Sequence, residues 1–266
     1  MKMMTSDRYR STVGRRVETD DLDLDTAFDD HPLDEGTLRC LRYMHDIEFH
    51  TACYLRDLLV TSAHRDPEVT EFLTFWAYEE YWHGEAISRV LQAHGEQAGS
   101  SRVGELRTAR RRRDTLTPMA HWFGSLVAGR PLGALQMTWG AINEWTTQAG
   151  YVQLARRSGH STLAELLRRI AKQEGRHIDF YAARATRLLS SSASARRFTR
   201  VALRRWWQPV GSGVLPESES THLITHLFSG DDGRTALERI DRHVDALPGL
   251  EGLRLVTHSA ECVGAR

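Results

Sequence analysis

The chain has 266 residues, enough for one large domain or two small ones with a substantial buried core. Lysine and arginine together number 35, as do aspartate and glutamate, so the formal net charge is zero. This balance gives no overall attraction to nucleic acid or to an anionic membrane surface. There is no secretory signal pattern, and no stretch approaches the roughly 18 consecutive apolar residues of a membrane-spanning helix. We therefore expect a cytoplasmic protein with no membrane insertion and no nucleic-acid partner.

The cysteines give little support for a covalent or metal-bound framework. Cys40, Cys53 and Cys262 are an odd number and form no Cys-x-x-Cys motif. This pattern predicts neither a disulfide framework nor structural zinc, and it fits a reducing compartment.

The first half of the chain contains two predicted helices and a predicted break. Residues 1–33 are polar and include an acidic patch, so we expect a flexible leader or one that lies only loosely on the body. Apolar residues then recur at spacings of three or four over residues 38–59 and again over residues 72–91, which predicts two amphipathic helices. Residues 97–118 contain glycines, serines, a run of arginines and a proline, and we interpret them as a break.

The second half repeats the helical pattern. Residues 132–157 and residues 161–190 predict a third and a fourth helix, the latter capped at its start by Ser161. A basic amphipathic segment follows over residues 196–207, then a turn region rich in proline and glycine, and a last helix over residues 234–247. Long alternating runs of β-branched residues are absent, so the predicted fold class is all-α.

Two of the predicted helices carry the same metal-binding motif, Glu-x-x-His. Glu80 and His83 form one copy, and Glu174 and His177 form the other. Residues at positions i and i+3 lie on one face of a helix, one turn apart, so both side chains can reach a single metal ion. Each pair lies on an apolar stripe, where an unpaired carboxylate would be costly to bury.

The other two helices each bring one glutamate to the same buried stripe. Glu48 precedes Glu80 by 32 residues, and Glu144 precedes Glu174 by 30 residues, which indicates a duplicated helix hairpin. Four carboxylates neutralise two divalent ions, and oxygen-rich ligands with only two imidazoles suit iron or manganese. These acids could instead form a buried salt-bridge network. That alternative is disfavoured because the apolar stripes contain no matching lysines or arginines. Glu79 points about 100° away from Glu80, so we expect it beside the ligands or on the surface.

Around these ligands the chain resembles the soluble acyl-carrier-protein desaturases, which are ferritin-like di-iron enzymes. Residues 76–85, WAYEEYWHGE, are similar to the family signature W-x-x-E-E-x-x-H-G-[DE]. Residues 170–177, IAKQEGRH, are similar to I-A-x-D-E-x-R-H, and residues 143–147, NEWTT, match Glu-x-x-Thr. The resemblance covers about residues 38–190. Gln173 stands where the family has an acidic residue, so we expect the surroundings of His177 to differ.

The resemblance implies a fold and a ligand set. It implies a ferritin-like four-helix bundle. We place this bundle over residues 34–191, between the flexible acidic leader (residues 1–33) and a helical extension that packs on the bundle (residues 192–266). The ligands of two iron ions would be Glu48, Glu80, His83, Glu144, Glu174 and His177. Thr147 would be a proton or oxygen partner; the alternative is an ordinary helix hydroxyl bonded to the carbonyl four residues back.

The resemblance also implies an activity in fatty acid biosynthesis. The enzyme would use molecular oxygen and electrons from a ferredoxin-type donor to introduce a double bond into an acyl chain carried by acyl carrier protein. A homodimer is the expected assembly. Carrier proteins are acidic, so the arginines within residues 107–113 or within residues 196–205 are candidate docking surfaces; the alternative is plain solvated faces. A channel for an apolar chain, or simply core, is predicted from Phe72, Phe75, Trp76, Met137, Trp139 and Tyr181.

Other functions remain open at this point. A ferritin-like di-iron oxygenase or hydroxylase acting on a different biosynthetic substrate is the main alternative. Arylamine N-oxygenases of this kind carry an additional histidine one turn before the last glutamate, where this chain has Ile170. Iron storage usually goes with a shorter bundle that assembles into a cage. A metal-free bundle is disfavoured by the buried acids.

Overall fold

The computed structural model describes residues 14–264, which are helical over most of their length and contain no β-strand. The predicted all-α helical bundle is confirmed. The α-helices in this part of the chain are α1 (Glu35–Leu59), α2 (Pro67–Ala93), α3 (Gly99–Ala128), α4 (Arg130–Arg157), α5 (Ser161–Ser191), α6 (Ala193–Trp206), α7 (Glu217–Phe228), α8 (Gly230–Asp245) and α9 (Leu255–Gly264). A 3₁₀ helix, Ser62–Arg65, joins the first two.

Two helix pairs form the body of the bundle, α1 with α2 and α4 with α5. Asp34 caps α1 by accepting a hydrogen bond from the Thr37 N–H at 3.0 Å, and Asp66 followed by a proline begins α2. Glycine allows close approach within each pair. A Cβ at Gly84 would lie 2.7 Å from the Phe49 ring, and one at Gly140 would lie 2.5 Å from the Tyr181 ring.

Two large apolar cores hold the bundle together. One is built around side chains such as Phe72 and Tyr181 and includes Leu237 and Val244 from the C-terminal helices. Residues 192–266, as far as they are described, therefore contribute to the same core as the bundle. The other core surrounds side chains such as Leu41 and includes residues that precede α1.

The segment before α1 differs from the flexible leader predicted over residues 1–33. Its apolar side chains are buried in the second core, namely Val17, Leu24, Phe28 and Leu33. Its acidic patch forms ion pairs with the body, Asp21 with Arg169 on α5 and Asp25 with Arg89 on α2. These anchors are scattered among acids without a period, which is why the sequence pattern did not reveal them. Residues 1–13 lie outside the described residues.

The predicted break over residues 97–118 is wrong, because residues 99–118 belong to α3. Arginine has a high helix propensity, and a single proline inside a helix costs only about 3 kcal/mol, which tertiary contacts can offset. One such contact is Arg102, which donates to both oxygens of the buried Asp46 at 2.7 and 2.6 Å. Another is Arg110, which donates to the carbonyls of Gly213 and Val214.

The C-terminal half of α3 presents a large apolar surface to solvent. Its exposed side chains are Leu116, Met119, Trp122, Phe123, Leu126 and Val127. Among the described residues, none of the helices combines the length and the apolar character required to cross a bilayer.

Candidate metal centre

The structure brings all six predicted ligands together in the interior of the bundle. α1 contributes one glutamate, α4 contributes another, and α2 and α5 each contribute a Glu-x-x-His pair. Each of the six is no more than 5% exposed: Glu48, Glu80, His83, Glu144, Glu174 and His177. The apolar stripes that predicted the four helices therefore also placed the polar residues inside.

The ligand atoms form two overlapping groups. Within each group the atoms lie within 4.8 Å of one another: Glu48, Glu80, His83 and Glu174 in the first, and Glu80, Glu144, Glu174 and His177 in the second. Glu80 and Glu174 belong to both groups. A carboxylate has two oxygens, so each of these two glutamates can bridge a pair of metal ions.

Both imidazoles turn the same nitrogen, Nδ1, toward the shared carboxylates. His83 Nδ1 lies 3.2 Å from Glu174 Oε1 and 3.5 Å from Glu80 Oε2. His177 Nδ1 lies 2.8 Å from Glu174 Oε2 and 3.1 Å from Glu80 Oε1. The two ring centroids are 6.1 Å apart. The arrangement is nearly symmetric, with one imidazole and one unshared glutamate for each ion position.

The second ring nitrogen of each imidazole, Nε2, contacts the residue that directly precedes the Glu-x-x-His motif of the other helix. His177 Nε2 lies 2.9 Å from Glu79 Oε2, and His83 Nε2 lies 2.8 Å from Gln173 Oε1. Both acceptors are oxygens, so each Nε2 carries a hydrogen, and Nδ1 is the nitrogen that would face a metal ion. The expectation that Gln173 alters the surroundings of His177 is therefore wrong. Gln173 points across the bundle and contacts His83.

Glu79 lies beside the ligands and not on the surface. Its Oε1 accepts hydrogen bonds from Arg176 Nη2 and from the Gly14 N–H, both at 2.9 Å. Burial raises its pKa, but the hydrogen bond with His177 and the charge of Arg176 outweigh burial and hold the pKa below its usual value. Glu79 is therefore an ionised acceptor for His177.

The unshared glutamates have hydrogen-bond donors that the sequence did not identify as functional. Trp76 Nε1 donates to Glu144 Oε1 at 3.0 Å, and the Tyr151 hydroxyl donates to Glu48 Oε1. Trp76 was predicted only as channel or core. Tyr151 follows Glu144 by seven residues, two turns along the same face of α4, and this spacing was the available signal.

The donor set fits a pair of divalent cations. His83 Nδ1 and Glu174 Oε1 are both buried and make no hydrogen bond to the described residues. Burial and the repulsion of Glu80 raise the pKa of Glu48, and burial also raises the pKa of Glu144. Burial opposes protonation of His83, but the carboxylates of Glu174 and Glu80 still raise its pKa to about 10. The site therefore attracts positive charge strongly, and the four positive charges of two divalent ions would neutralise the four carboxylates.

A cavity of about 910 Å³ extends from the ligands toward α3. Glu48, Glu80 and Glu144 line its inner end. Of the predicted channel residues, those that line the cavity are Trp76, Trp139 and Tyr181. The others lie elsewhere: Phe72 and Met137 belong to the core, and Phe75 packs against it. The volume falls within the range of roughly 300–1,000 Å³ that is typical of sites for small molecules.

Thr147 lies on the wall of this cavity, one turn after Glu144. Within the described part of the chain its hydroxyl makes no hydrogen bond, whereas the neighbouring Thr146 hydroxyl bonds the carbonyls of Ile142 and Asn143. The back-bonded alternative therefore describes Thr146, and the Thr147 hydroxyl is left available to a molecule in the cavity.

Comparisons with known proteins assign no family to the chain. No protein-family model matches it, and no curated protein matches it significantly. The residues and geometry of the centre are therefore the basis for its function.

Proposed function

We propose that the chain is an oxygen-dependent di-iron oxidoreductase that desaturates an acyl chain carried by acyl carrier protein. One observation carries the proposal: a buried cluster with two shared carboxylates lies directly on a mostly apolar cavity. Iron ions held by the six ligands would supply two-electron oxidation by molecular oxygen. In the balanced reaction, two hydrogens leave neighbouring methylenes, and two electrons and two protons complete the reduction of oxygen to two water molecules.

The residues around the cavity have separate tasks in this proposal. The apolar wall, with Trp139 and Tyr181, binds the chain and excludes water from the reacting carbons. Glu48 and Glu144 lie at the inner end, so a chain that fills the cavity ends next to the cluster. The Thr147 hydroxyl, on the cavity wall one turn after Glu144, would hold a proton during the reaction.

The surface near Trp206 fits an acidic carrier protein. Trp206 lines the cavity and is also 62% exposed, so it marks the mouth. Arg204 and Arg205 immediately before it are exposed. Arg196 and Arg200 of the same helix are instead bonded to backbone carbonyls. We therefore propose that the carrier docks at the end of α6, and that a ferredoxin-type donor supplies the electrons.

The apolar face of α3 fits a second copy of the chain. Residues 115–129 contain no charged residue and are rich in aromatic and aliphatic side chains, like the centre of a protein interface. An exposed patch of this kind is unusual on a monomer. In sedimentation analysis we expect a homodimer, and Phe123→Glu should give a monomer with unchanged helicity. A monomeric wild-type chain would contradict this assembly.

Mass spectrometry of acyl-carrier-protein thioesters tests the proposed activity. A panel of saturated chains of different lengths is incubated with the iron-loaded protein, a ferredoxin reducing system and oxygen. We expect the loss of two hydrogens from one chain length and no change with Glu174→Ala. Gain of one oxygen atom would instead identify the oxygenase or hydroxylase alternative. No product despite an intact iron pair would contradict the proposed substrate class.

A further inference from the structure

A second group of metal-ligand side chains lies between α1 and α3, outside the carboxylate centre. It consists of His50 and Cys53 on α1 and Asp114 on α3. One ligand atom from each lies within 4.8 Å of the others. His50 and Cys53 are at positions i and i+3, so they share a face of α1, and α3 brings the third side chain to that face.

We propose that His50, Cys53 and Asp114 bind one zinc ion. An imidazole nitrogen, a thiolate and a carboxylate oxygen together favour a borderline-soft divalent ion over calcium, magnesium or manganese. Zinc takes such donors at about 2.0–2.3 Å, so the three ligand atoms need to move together by only about 1 Å. Cys53 and Asp114 are partly exposed, so solvent can supply the fourth position of a tetrahedral site.

The surroundings of Asp114 are already organised. Its Oδ1 accepts a hydrogen bond from Arg110 Nη2 at 3.2 Å, and both side chains are only 13% exposed. Arg110 also donates to the carbonyls of Gly213 and Val214, which fixes its position. A carboxylate has lone pairs on both oxygens, so the bond to Arg110 orients Asp114 and leaves Oδ2 for the ion.

The ion would link α1 to the part of α3 that forms one wall of the large cavity. Thr117 and His121, which follow Asp114 by one and two turns, line that cavity. The expectation of no structural zinc rested on the absence of a Cys-x-x-Cys motif. A site with a single cysteine and a third ligand from a different helix has no such motif, so the sequence pattern did not reveal it.

Cobalt titration of the metal-free full-length chain tests the site. A thiolate bound to Co²⁺ gives a sulfur-to-cobalt charge-transfer band in the near ultraviolet, and the carboxylate centre has no sulfur ligand to produce one. We expect the intensity of the band at saturation to correspond to one thiolate-bound Co²⁺ per chain, whatever Co²⁺ the carboxylate centre also binds. The band should disappear when Zn²⁺ is added in excess over all three ion positions. Cys53→Ser should abolish it, and Asp114→Asn should weaken Co²⁺ binding at least tenfold.

Two control variants distinguish this site from an exposed thiol and from the carboxylate centre. Cys262→Ser replaces an exposed cysteine and should leave the band unchanged. Glu174→Ala removes a shared carboxylate of the iron centre and should also leave it unchanged, so failure of the proposed function would not be confused with failure of this site. Circular dichroism checks that each variant, including Cys53→Ser, keeps its helicity. No band in the wild type, or a band that survives in Cys53→Ser, would overturn the proposal.

Discussion

The two halves of the metal centre have matching ligands but different outer contacts. His177 donates from Nε2 to the carboxylate of Glu79, whereas His83 donates from Nε2 to the amide oxygen of Gln173. A carboxylate partner makes an imidazole a stronger ligand than an amide partner does. The two candidate ion positions therefore have similar ligands, and the difference between Glu79 and Gln173 outside the ligand set would make two bound ions electronically unequal.

The unshared glutamates show the same kind of difference. Glu144 accepts from the indole of Trp76, while Glu48 accepts from the phenol of Tyr151. Trp76 comes from α2, the helix that also carries a Glu-x-x-His motif, whereas Tyr151 lies on the same helix as Glu144. The duplication thus extends to the six ligands but not to the residues that orient them.

The segment before α1 contacts the outer residues of both halves. The Gly14 N–H donates to Glu79, and Gln173 Nε2 donates to the Arg15 carbonyl at 3.3 Å. A segment that the sequence suggests is loose therefore helps to hold both hydrogen-bond acceptors in place.

The largest effect on iron content is expected from removing a carboxylate that both halves of the centre share. Glu174→Ala should abolish the iron pair, because Glu174 faces both ion positions, whereas Glu144→Ala should leave iron in the half that contains Glu48. Elemental analysis after iron loading measures this difference. Glu165→Ala, a partly exposed glutamate on the same helix, is the matched control and should keep two irons per chain. Two irons with normal spectra in Glu174→Ala would refute the ligand assignment.

A smaller effect on iron binding is expected from removing the charge of the Glu79 carboxylate, which accepts a hydrogen bond from His177. Glu79→Gln should lower iron affinity about 10–100-fold, as is typical when a partner of a metal-binding histidine is changed. It also leaves Arg176 without its carboxylate. Competition with a chelator measures the affinity. Glu85→Gln on the same helix is the control, and equal affinities of the two variants would show that Glu79 has no role in metal binding.

Making the halves alike is the next test. Gln173→Glu gives His83 a carboxylate partner like that of His177. The two irons should then have similar environments, and the reduction potential of the pair should fall. Mössbauer spectroscopy and redox titration measure these changes. Lys172→Gln changes the net charge by the same amount at an exposed neighbouring position. If both variants shift the potential equally, the effect is one of overall charge and the comparison of the two halves fails.

The smallest effect concerns the donors to the unshared glutamates. Tyr151→Phe removes only the hydroxyl that donates to Glu48, so the free energy of unfolding of the metal-free chain should fall by about 1–3 kcal/mol. Urea denaturation measures it. Tyr81→Phe is the control, because Tyr81 is 48% exposed and its hydroxyl should matter little. An unchanged stability in Tyr151→Phe would mean that this hydrogen bond contributes nothing net.

The clustering of the six candidate ligands could be predicted from the sequence because its determinants are local. A Glu-x-x-His pair fixes its own geometry within one helical turn, and the apolar stripe on which Glu80 and Glu174 lie determines that they point inward. The crossed contacts of Glu79 and Gln173 could not be read in this way. They depend on how α2 and α5 are rotated against each other, and no spacing within one helix contains that information.

The errors in the predicted fold also arise from contacts between distant parts of the chain. The segment with Leu24 and Phe28 has no period, yet its apolar side chains are buried against distant helices. In α3 the local signals of Gly99 and Pro118 favoured a break, but bonds such as Arg102 to Asp46 stabilise the helix from outside. Tertiary contacts override weak local preferences in both segments.

The central claim is that six buried side chains hold two irons joined by Glu80 and Glu174. Mössbauer spectroscopy of the oxidised, iron-loaded chain tests it most directly. Two ferric ions bridged in this way couple antiferromagnetically, so we predict two irons per chain with a diamagnetic ground state and no magnetic splitting at low temperature in a small field. Magnetically split spectra of isolated ferric ions, or one iron per chain, would contradict the account.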